Sequence, residues 1–201
     1  MSLDLYKART RAPQPAKPLV FTFHGTGGDE TQLFALADEL VPGAGIVSPR
    51  GDVLESGAAR FFKRTGEGVY DMDDLARATD KMIAFIEAHR AENPGHSVYA
   101  FGYSNGANIL ASVFLQRPDL FDKTALLHPL VPWTPGKNAA LKGRQVLISA
   151  GQRDPITPWP MSERLIAWLS EQGADVTTEI HDGGHELRNS ELTALRAFFN
   201  A

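Results

Sequence analysis

Short apolar runs alternate with amphipathic stretches along the chain, as in proteins whose parallel strands are joined by crossover helices. Six runs have the length of a strand, and most of them are apolar throughout, which is expected of strands covered by helices on both faces. They are residues 19–23, 45–48, 97–101, 124–127, 145–150 and 175–180. Apolar positions spaced three or four residues apart predict five helices between and after these strands, at residues 30–40, 73–89, 104–116, 160–171 and 190–199.

The element order β-α-β-α-β-α-β-β-α-β-α predicts a three-layer α/β/α fold with a mostly parallel sheet. Two connections carry no clear element. Residues 129–143 are rich in Pro and Gly, and residues 50–70 form the longest irregular stretch. Such a long loop in a compact domain either contributes to function or contains elements that the hydrophobic pattern does not show.

Composition narrows the class of protein. A chain of 201 residues is within the size that one hydrophobic core can organise, so we expect a single domain spanning residues 1–201. The net charge of −4 favours neither nucleic acid nor anionic lipid as a partner. The sequence contains no cysteine, which excludes disulfides, thiolate metal sites, iron–sulfur clusters and a cysteine nucleophile.

The sequence offers no signal for a membrane. No stretch approaches the roughly 18 apolar residues of a membrane-spanning helix. The N-terminal segment MSLDLYKARTR lacks the continuous apolar region of a signal peptide. We therefore expect a cytoplasmic protein, with a cleaved export signal as the open alternative.

A serine lies in the strongest chemical motif of the chain. The sequence GYSNG, residues 102–106, lies between the strand 97–101 and the helix that follows. This G-x-S-x-G pattern is typical of a sharp strand-to-helix turn that exposes a serine hydroxyl at the carboxyl edge of a sheet. The strained turn needs glycines on either side of the serine. Ser104 is therefore the candidate nucleophile, and the alternative is that its side chain only caps the helix.

A nucleophilic serine needs a histidine base, and that histidine needs a carboxylate to orient it. In folds with this turn, the acid and then the histidine follow the serine, each in a loop after a strand. Asp154 follows the strand 145–150, and His185 follows the strand 175–180. We predict that Ser104, Asp154 and His185 form a triad.

Other roles for the histidines and acids stay open. His181 and His185 have a spacing that on a helix would favour a metal site, although the two glycines between them argue against a helix. Asp182 could orient His185 in place of Asp154. His128 ends a strand at the same edge of the sheet, where it could line the pocket or be a buried structural histidine.

A glycine-rich turn, HGTGGD at residues 24–29, follows the first strand. It lacks the full patterns of nucleotide-binding loops, so a nucleotide site is the weaker alternative. Its backbone N–H groups would face the position where a tetrahedral oxyanion forms beside the serine. We predict that the amides of Thr26 and Asn105 are the two oxyanion donors.

These motifs together resemble the α/β-hydrolase superfamily, and within it the small phospholipase/carboxylesterase family that includes acyl-protein thioesterases. The matching segments are HGTG at 24–27, SPRG at 48–51, GYSNGAN at 102–108, GQRDPITP at 151–158 and GH at 184–185. A narrower similarity is to bacterial carboxylesterases associated with hydroquinone stress, through YSNGAN, RFFKR at 60–64 and HPLVP at 128–132.

The resemblance implies an α/β-hydrolase fold in its minimal form, without a cap domain. It implies hydrolysis of small, short-acyl carboxylic esters, some of them aromatic, through the predicted triad and an acyl-enzyme, with no cofactor and no metal. Acyl-protein thioesterases usually carry FSQGG around the nucleophile, whereas this chain has Tyr103, Asn105 and Ala107. Thioesterase or lysophospholipase activity is therefore an alternative, as is a ligand-binding protein with negligible turnover.

Loops at the same edge of the sheet are expected to supply the substrate contacts. Phe61 and Phe62 could form an apolar wall, and Arg60, Lys63 or Arg64 could attract an anionic part of the substrate. The alternative is that the two phenylalanines pack beneath their own loop and that the basic side chains are solvated.

Trp133 and Trp159 follow strands at this edge and could line the cleft or pack on the surface. The expected partner is a small-molecule ester, without nucleic acid or membrane, and a homodimer is a further alternative. The candidate substrate contacts are Phe61, Phe62, Arg64, His128 and Trp159.

Overall fold

A computed structural model describes residues 2–201, and Met1 lies outside the described residues. The strands are β1 (Ala8–Arg11), β2 (Leu19–Phe23), β3 (Gly45–Pro49), β4 (Val53–Glu55), β5 (Ala58–Arg60), β6 (Arg64–Gly66), β7 (Val69–Tyr70), β8 (Val98–Tyr103), β9 (Lys123–Leu127), β10 (Gln145–Gly151) and β11 (Asp175–His181). The α-helices are α1 (Phe34–Leu40), α2 (Met72–Glu92), α3 (Asn105–Gln116), α4 (Trp159–Glu171) and α5 (Asn189–Asn200).

A seven-stranded sheet in the order β1-β3-β2-β8-β9-β10-β11 forms the centre of the fold. Strand β1 pairs antiparallel with β3, and all other neighbours in this sheet are parallel. Strands β2, β3 and β9 are buried along their whole length, because helices cover both of their faces.

The helices lie on both faces of the sheet. Leu19, Phe21 and Phe23 of β2 belong to the apolar cluster that includes residues of α2, α3 and α4. Val20, between them, belongs to the cluster formed with α1 and α5. This alternation follows from the two-residue period of a strand, and it confirms the three-layer α/β/α architecture. The described residues contain no separate cap domain, and none of their helices is both long and apolar enough to cross a membrane.

The structure corrects two parts of the predicted element pattern. Strand β1, with the sequence ARTR, was not predicted, because this edge strand is mostly polar and largely exposed. The prediction of an irregular stretch at residues 50–70 is wrong, since it contains the hairpins β4–β5 and β6–β7. These strands have only two or three residues, too few to show alternation.

The carboxyl ends of β2, β8, β10 and β11 meet at one edge of the sheet, because these strands run in the same direction. The loops that follow them carry the residues predicted to be functional. Both hairpins of residues 53–70 lie in the connection between β3 and α2. This edge therefore holds the candidate site.

Candidate active site

Ser104 occupies a strained turn between β8 and α3. Its backbone has φ 53° and ψ −119°, which non-glycine residues rarely adopt, and its N–H donates to Leu127 O at 2.9 Å. A Cβ at Gly106 would overlap the carbonyl of Phe23, and one at Gly102 would lie 2.5 Å from the carbonyl oxygen of Gly106. The two glycines of the motif are therefore required by close backbone packing.

The structure brings the three predicted triad residues together. Ser104 Oγ lies 2.8 Å from His185 Nε2, and His185 Nδ1 lies 2.6 Å from Asp154 Oδ2. The Ser104 side chain makes no capping hydrogen bond to α3, which excludes the interpretation of this serine as a simple helix cap. Because the carboxylate only accepts, Nδ1 carries a proton and Nε2 is free to accept the Ser104 hydroxyl proton.

Asp154 is a buried carboxylate, and both of its oxygens have hydrogen-bond partners. Its Oδ1 accepts hydrogen bonds from the amides of Ile156 at 2.8 Å and Thr157 at 2.9 Å. Burial alone would raise the pKa of Asp154, but the hydrogen bonds from Thr157, His185 and His128 bring this pKa below its usual value. The carboxylate is therefore ionised at neutral pH.

The alternative acid, Asp182, points elsewhere. Its side chain is 72% exposed and pairs with Arg153 and Arg188. The hypothesis that Asp182 orients His185 is therefore wrong. The loop that carries His185 is instead held by the Tyr103 hydroxyl, which donates to His185 O at 2.7 Å.

Two backbone amides beside Ser104 have no acceptor within residues 2–201. They belong to Thr26 and Asn105, the predicted oxyanion donors, and both residues line the same cavity as Ser104. The next amides of the glycine-rich turn are occupied, since Gly27 donates to Ala59 O at 2.9 Å and Gly28 to Gly25 O at 3.0 Å. Thr26 thus lines the cavity, and its N–H has no hydrogen-bond acceptor within the described residues.

The hairpin β4–β5 and the residue after it hold both Thr26 and Asn105, the predicted oxyanion donors. Arg60 Nη1 donates to Thr26 Oγ1 at 2.8 Å, and the amide of Phe61 donates to Asn105 Oδ1 at 2.9 Å. His24 fixes the glycine-rich turn from the other side, because its Nδ1 donates to Gly25 O at 2.7 Å and its Nε2 accepts the Gly51 amide at 2.9 Å. The pKa of His24 is lowered by burial, which keeps the ring neutral.

A cavity of about 320 Å³ opens above the candidate nucleophile. One part of its wall is charged, with Arg60, Arg64 and Glu67, and another is apolar, with Leu130 and Ile156. Tyr70 and Asn108 complete the lining, and the Asn108 amide donates to the Tyr70 hydroxyl at 2.7 Å. Of the predicted substrate contacts, the structure thus places Arg64 in the cavity.

The other predicted substrate contacts lie outside this cavity. Phe61 and Phe62 are completely buried under their own loop, where they pack against Phe23 and Tyr70 at ring distances of 5.8 and 4.8 Å. The prediction that they form a wall of the cleft is therefore wrong. Apolar side chains of this size gain more from packing against the core than from lining a polar cavity.

The prediction of His128 and Trp159 as substrate contacts is also wrong. His128 is completely buried behind the acid of the triad, where its Nδ1 lies 2.9 Å from Asp154 Oδ2. Trp159 begins α4 and is not among the residues that line the cavity. Trp133 lines a separate groove with Trp168.

The sequence did not reveal a buried cluster that adjoins the triad. His128, His181 and Glu191, called here the buried cluster, lie with His128 Nε2 3.0 Å from Glu191 Oε1 and His181 Nε2 3.1 Å from Glu191 Oε2. A signal was present, because Glu191 lies on the buried stripe of α5 with Leu195 and Phe199. An acid on an apolar stripe needs buried partners.

The proton positions of the buried cluster do not fit a metal site. His181 Nδ1 accepts a hydrogen bond from the Gly183 amide at 3.0 Å, so in the neutral ring the proton is on Nε2, facing Glu191. A histidine that binds a metal through Nε2 normally donates a proton from Nδ1 instead. This cluster is therefore better described as two histidines in close contact with one buried carboxylate.

Comparisons with known proteins reveal extensive similarity. The model of the dienelactone hydrolase family matches residues 12–191. MhqD of Bacillus subtilis (strain 168) is 39% identical over 185 residues, which cover 90% of this chain and 92% of that protein. The structure of Atu2452 from Agrobacterium tumefaciens is 49% identical, with a TM-score of 0.93, and covers 100% of this chain and 98% of that one. A Bacillus cereus carboxylesterase is 35% identical, with a TM-score of 0.91 and coverages of 97% and 93%.

Proposed function

We propose that this chain, a carboxylic ester hydrolase of the dienelactone hydrolase family, acts on small, short-acyl esters. In this proposal the ester is cleaved through an acyl-enzyme on Ser104. The observation that carries this proposal is the unbroken series of contacts from Ser104 Oγ through His185 to Asp154. Two free amides at the same place supply what an oxyanion requires. The similarity to a carboxylesterase supports esters as the substrate class.

The first half of the reaction forms the acyl-enzyme. His185 Nε2 takes the proton of Ser104 Oγ while this oxygen attacks the ester carbonyl carbon. The carbonyl oxygen becomes an oxyanion that accepts hydrogen bonds from the amides of Thr26 and Asn105. The carbon–oxygen bond to the alcohol then breaks, and the departing alkoxide takes the proton from His185.

The second half releases the acid. His185 removes a proton from water, and the resulting hydroxide attacks the acyl carbonyl carbon of the acyl-enzyme. The bond to Ser104 Oγ breaks, and this oxygen regains the proton from His185. Asp154 stays ionised in both halves and stabilises the imidazolium that forms twice.

The dimensions of the cavity support a short acyl chain. Its volume of about 320 Å³ is at the lower end of small-molecule sites, and its apolar lining is limited to a few side chains such as Leu130 and Ile156. A long acyl chain would extend into solvent, because the described residues contain no cap domain to cover it. We expect kcat/KM to decline as the acyl chain lengthens beyond the cavity.

Turnover and covalent labelling together test the proposal. The wild-type protein should hydrolyse p-nitrophenyl acetate and butyrate faster than the octanoate, and a fluorophosphonate should add one adduct to the intact mass, located on Ser104. Matched thioesters and anilides of butyrate measure whether the leaving group is an alcohol, a thiol or an amine. A folded protein with neither turnover nor adduct would support a ligand-binding role instead.

The charged wall of the cavity predicts a preference for anionic esters. Arg64 pairs through Nε with Glu55 at 2.9 Å, while its Nη atoms have no partner within residues 2–201. Arg64→Gln is expected to lower kcat/KM for p-nitrophenyl hydrogen succinate about fivefold to tenfold, and to change that for the neutral butyrate less than twofold. Initial rates with both esters measure this effect.

Lys63 provides the matched control on the same loop, because it is exposed and does not line the cavity. Lys63→Gln should leave the ratio of the two kcat/KM values unchanged. Equal losses with both esters in Arg64→Gln, or the same change in Lys63→Gln, would show that Arg64 does not recognise the anion.

A further inference from the structure

The acid of the triad faces a second histidine besides His185. His128 is completely buried, and its Nδ1 lies 2.9 Å from Asp154 Oδ2, the same oxygen that His185 contacts. On the opposite side of the ring, Nε2 lies 3.0 Å from Glu191 Oε1, although the two are not aligned well enough for a good hydrogen bond. The ring of His128 is therefore sandwiched between two carboxylates.

The backbone holds His128 firmly in this place. Its φ is 53°, a left-handed conformation that is uncommon for residues other than glycine. The His128 N–H donates to Ser149 O at 3.0 Å, and its carbonyl oxygen accepts the Thr157 hydroxyl at 3.4 Å. Thr157 also donates its amide to Asp154, so one segment orients both partners.

The hydrogen bonds that each group accepts indicate where the protons of the buried cluster lie. Glu191 accepts the Ser149 hydroxyl at 2.6 Å and the Arg188 amide at 2.7 Å. Burial would raise the pKa of Glu191, but the His128 ring 3.0 Å away and the hydrogen bond from Ser149 lower it overall, so Glu191 is ionised. His181 Nδ1 accepts the Gly183 amide and therefore carries no proton, and its Nε2 faces Glu191.

His128 then has a carboxylate opposite each ring nitrogen. A neutral imidazole has a proton on one nitrogen only, and its other lone pair would face a carboxylate oxygen. Burial lowers the pKa of His128, but Glu191 and Asp154 raise it above its usual value overall. Each carboxylate therefore faces an N–H group only when both ring nitrogens of His128 carry a proton.

The other titratable groups that face this ring come from three neighbouring segments. Within residues 2–201 they are Tyr103 at the end of β8, His181 at the end of β11 and His185 in the following loop, with ring distances of 6.0, 5.4 and 5.1 Å. None of these carries a negative charge in the resting state assigned above. Asp154 and Glu191 are therefore the anions that hold a charge on His128.

We propose that His128 is a permanently protonated positioning residue, an imidazolium that fixes Asp154 from behind and opposes a second positive charge on the neighbouring His185. Its catalytic consequence rests on the function proposed above. Because His185 must be neutral to accept the Ser104 proton, a fixed cation beside it extends activity to lower pH. His128 contacts neither Ser104 nor the cavity, so it acts only through Asp154 and His185.

Nitrogen NMR of the histidine side chains tests the charge directly and needs no turnover. In 15N-labelled protein, both nitrogens of His128 are expected to show the imidazolium signature from pH 6 to 8, while His181 shows the neutral form with its proton on Nε2. The spectrum of His128→Asn assigns the signal. A neutral His128 ring at pH 7 would overturn the proposal, whether or not the protein hydrolyses esters.

The pH dependence of kcat/KM tests the consequence. In His128→Asn the amide nitrogen can still donate to Asp154, but the charge is lost. We expect the acid limb of the profile to move upward by about one pH unit, with a smaller change on the plateau. His89→Asn, at another buried histidine on α2, should leave the limb in place. An unmoved limb in folded His128→Asn would mean that His128 has only a packing role.

The double variant His128→Asn/Glu191→Gln removes one charge of each sign. We expect its acid limb to lie closer to that of the wild type than the limb of His128→Asn does. This variant also serves if the single one fails to fold, because it leaves no unpaired Glu191 carboxylate in the core. An acid limb displaced further in the double variant than in His128→Asn would contradict the assigned charges, because loss of the Glu191 anion should favour neutral His185.

Discussion

Ser104→Ala is expected to lower kcat for p-nitrophenyl butyrate by about 10⁵-fold or more, because it removes the only atom that can form the acyl-enzyme proposed here. The side chain makes no hydrogen bond that supports α3, so the fold should be retained. Alanine also fits the strained turn no worse than serine does, since both carry a Cβ. Stopped-flow and steady-state assays measure the loss of kcat, and circular dichroism verifies that the variant is folded.

His185→Ala and its combination with Ser104→Ala show whether these two residues act as one unit. His185→Ala should cost nearly as much as Ser104→Ala, and combining the two should add little, because residues of one unit are not additive. Ser162→Ala is the matched control, since this buried serine of α4 does not line the cavity. Substantial activity in Ser104→Ala would assign the reaction to another nucleophile.

Glu191→Ala is expected to destabilise the fold by about 3–5 kcal/mol, the usual cost of removing one partner from a buried ion pair. The carboxylate is completely buried, and its loss leaves His128, His181 and the Ser149 hydroxyl without an acceptor. In a chain of this length, such a change lowers Tm by on the order of 10 °C. Denaturant unfolding measures the difference.

The loss should depend on pH in a defined window. The pKa of Glu191 is lowered, so its stabilisation is complete above the unfolded value of about 4.3 and is lost as the pH falls. The pKa of His128 is raised, so its stabilisation is complete below about 6.5 and is lost as the pH rises through its folded value. The difference between wild type and Glu191→Ala is therefore largest between about pH 4.3 and 6.5.

Glu163→Ala provides the control, because Glu163 lies on the exposed side of α4. Its effect should stay within about 0.5 kcal/mol. A loss below about 1 kcal/mol in Glu191→Ala, at pH 5.5, would mean that the cluster is hydrated or that its charges are not those assigned here.

The central sheet and the order of the candidate site residues along the chain could be predicted from the sequence. The interior strands were predicted because buried parallel strands are mostly apolar, and the edge strand β11 was predicted although it is largely polar. The predicted resemblance to α/β-hydrolase carboxylesterases is confirmed. The loops after those strands must meet at one edge, which explains why Ser104, Asp154 and His185, far apart in sequence, lie within hydrogen-bond distance.

The edge strand β1 and the side-chain orientations around the hairpins depend on tertiary packing, which the hydrophobic pattern of the sequence does not show. The polar edge strand β1 is stabilised by pairing with β3, so its side chains carry no apolar signal. Between the two hairpins, Phe61 and Phe62 both turn into the core, while Arg60 before them and Arg64 after them reach the cavity. The sequence alone could not distinguish these orientations, because each hairpin strand spans two or three residues.

The attachment of the oxyanion residues to one hairpin limits how this scaffold can be engineered. Ala59, Arg60 and Phe61 bind Gly27, Thr26 and Asn105, so these three consecutive residues clamp both sides of the site. A library that replaces this hairpin to change selectivity would also release Thr26 and Asn105, the proposed oxyanion donors. Diversity is better introduced at Glu67 or Ile156, which face the same cavity from outside the clamp.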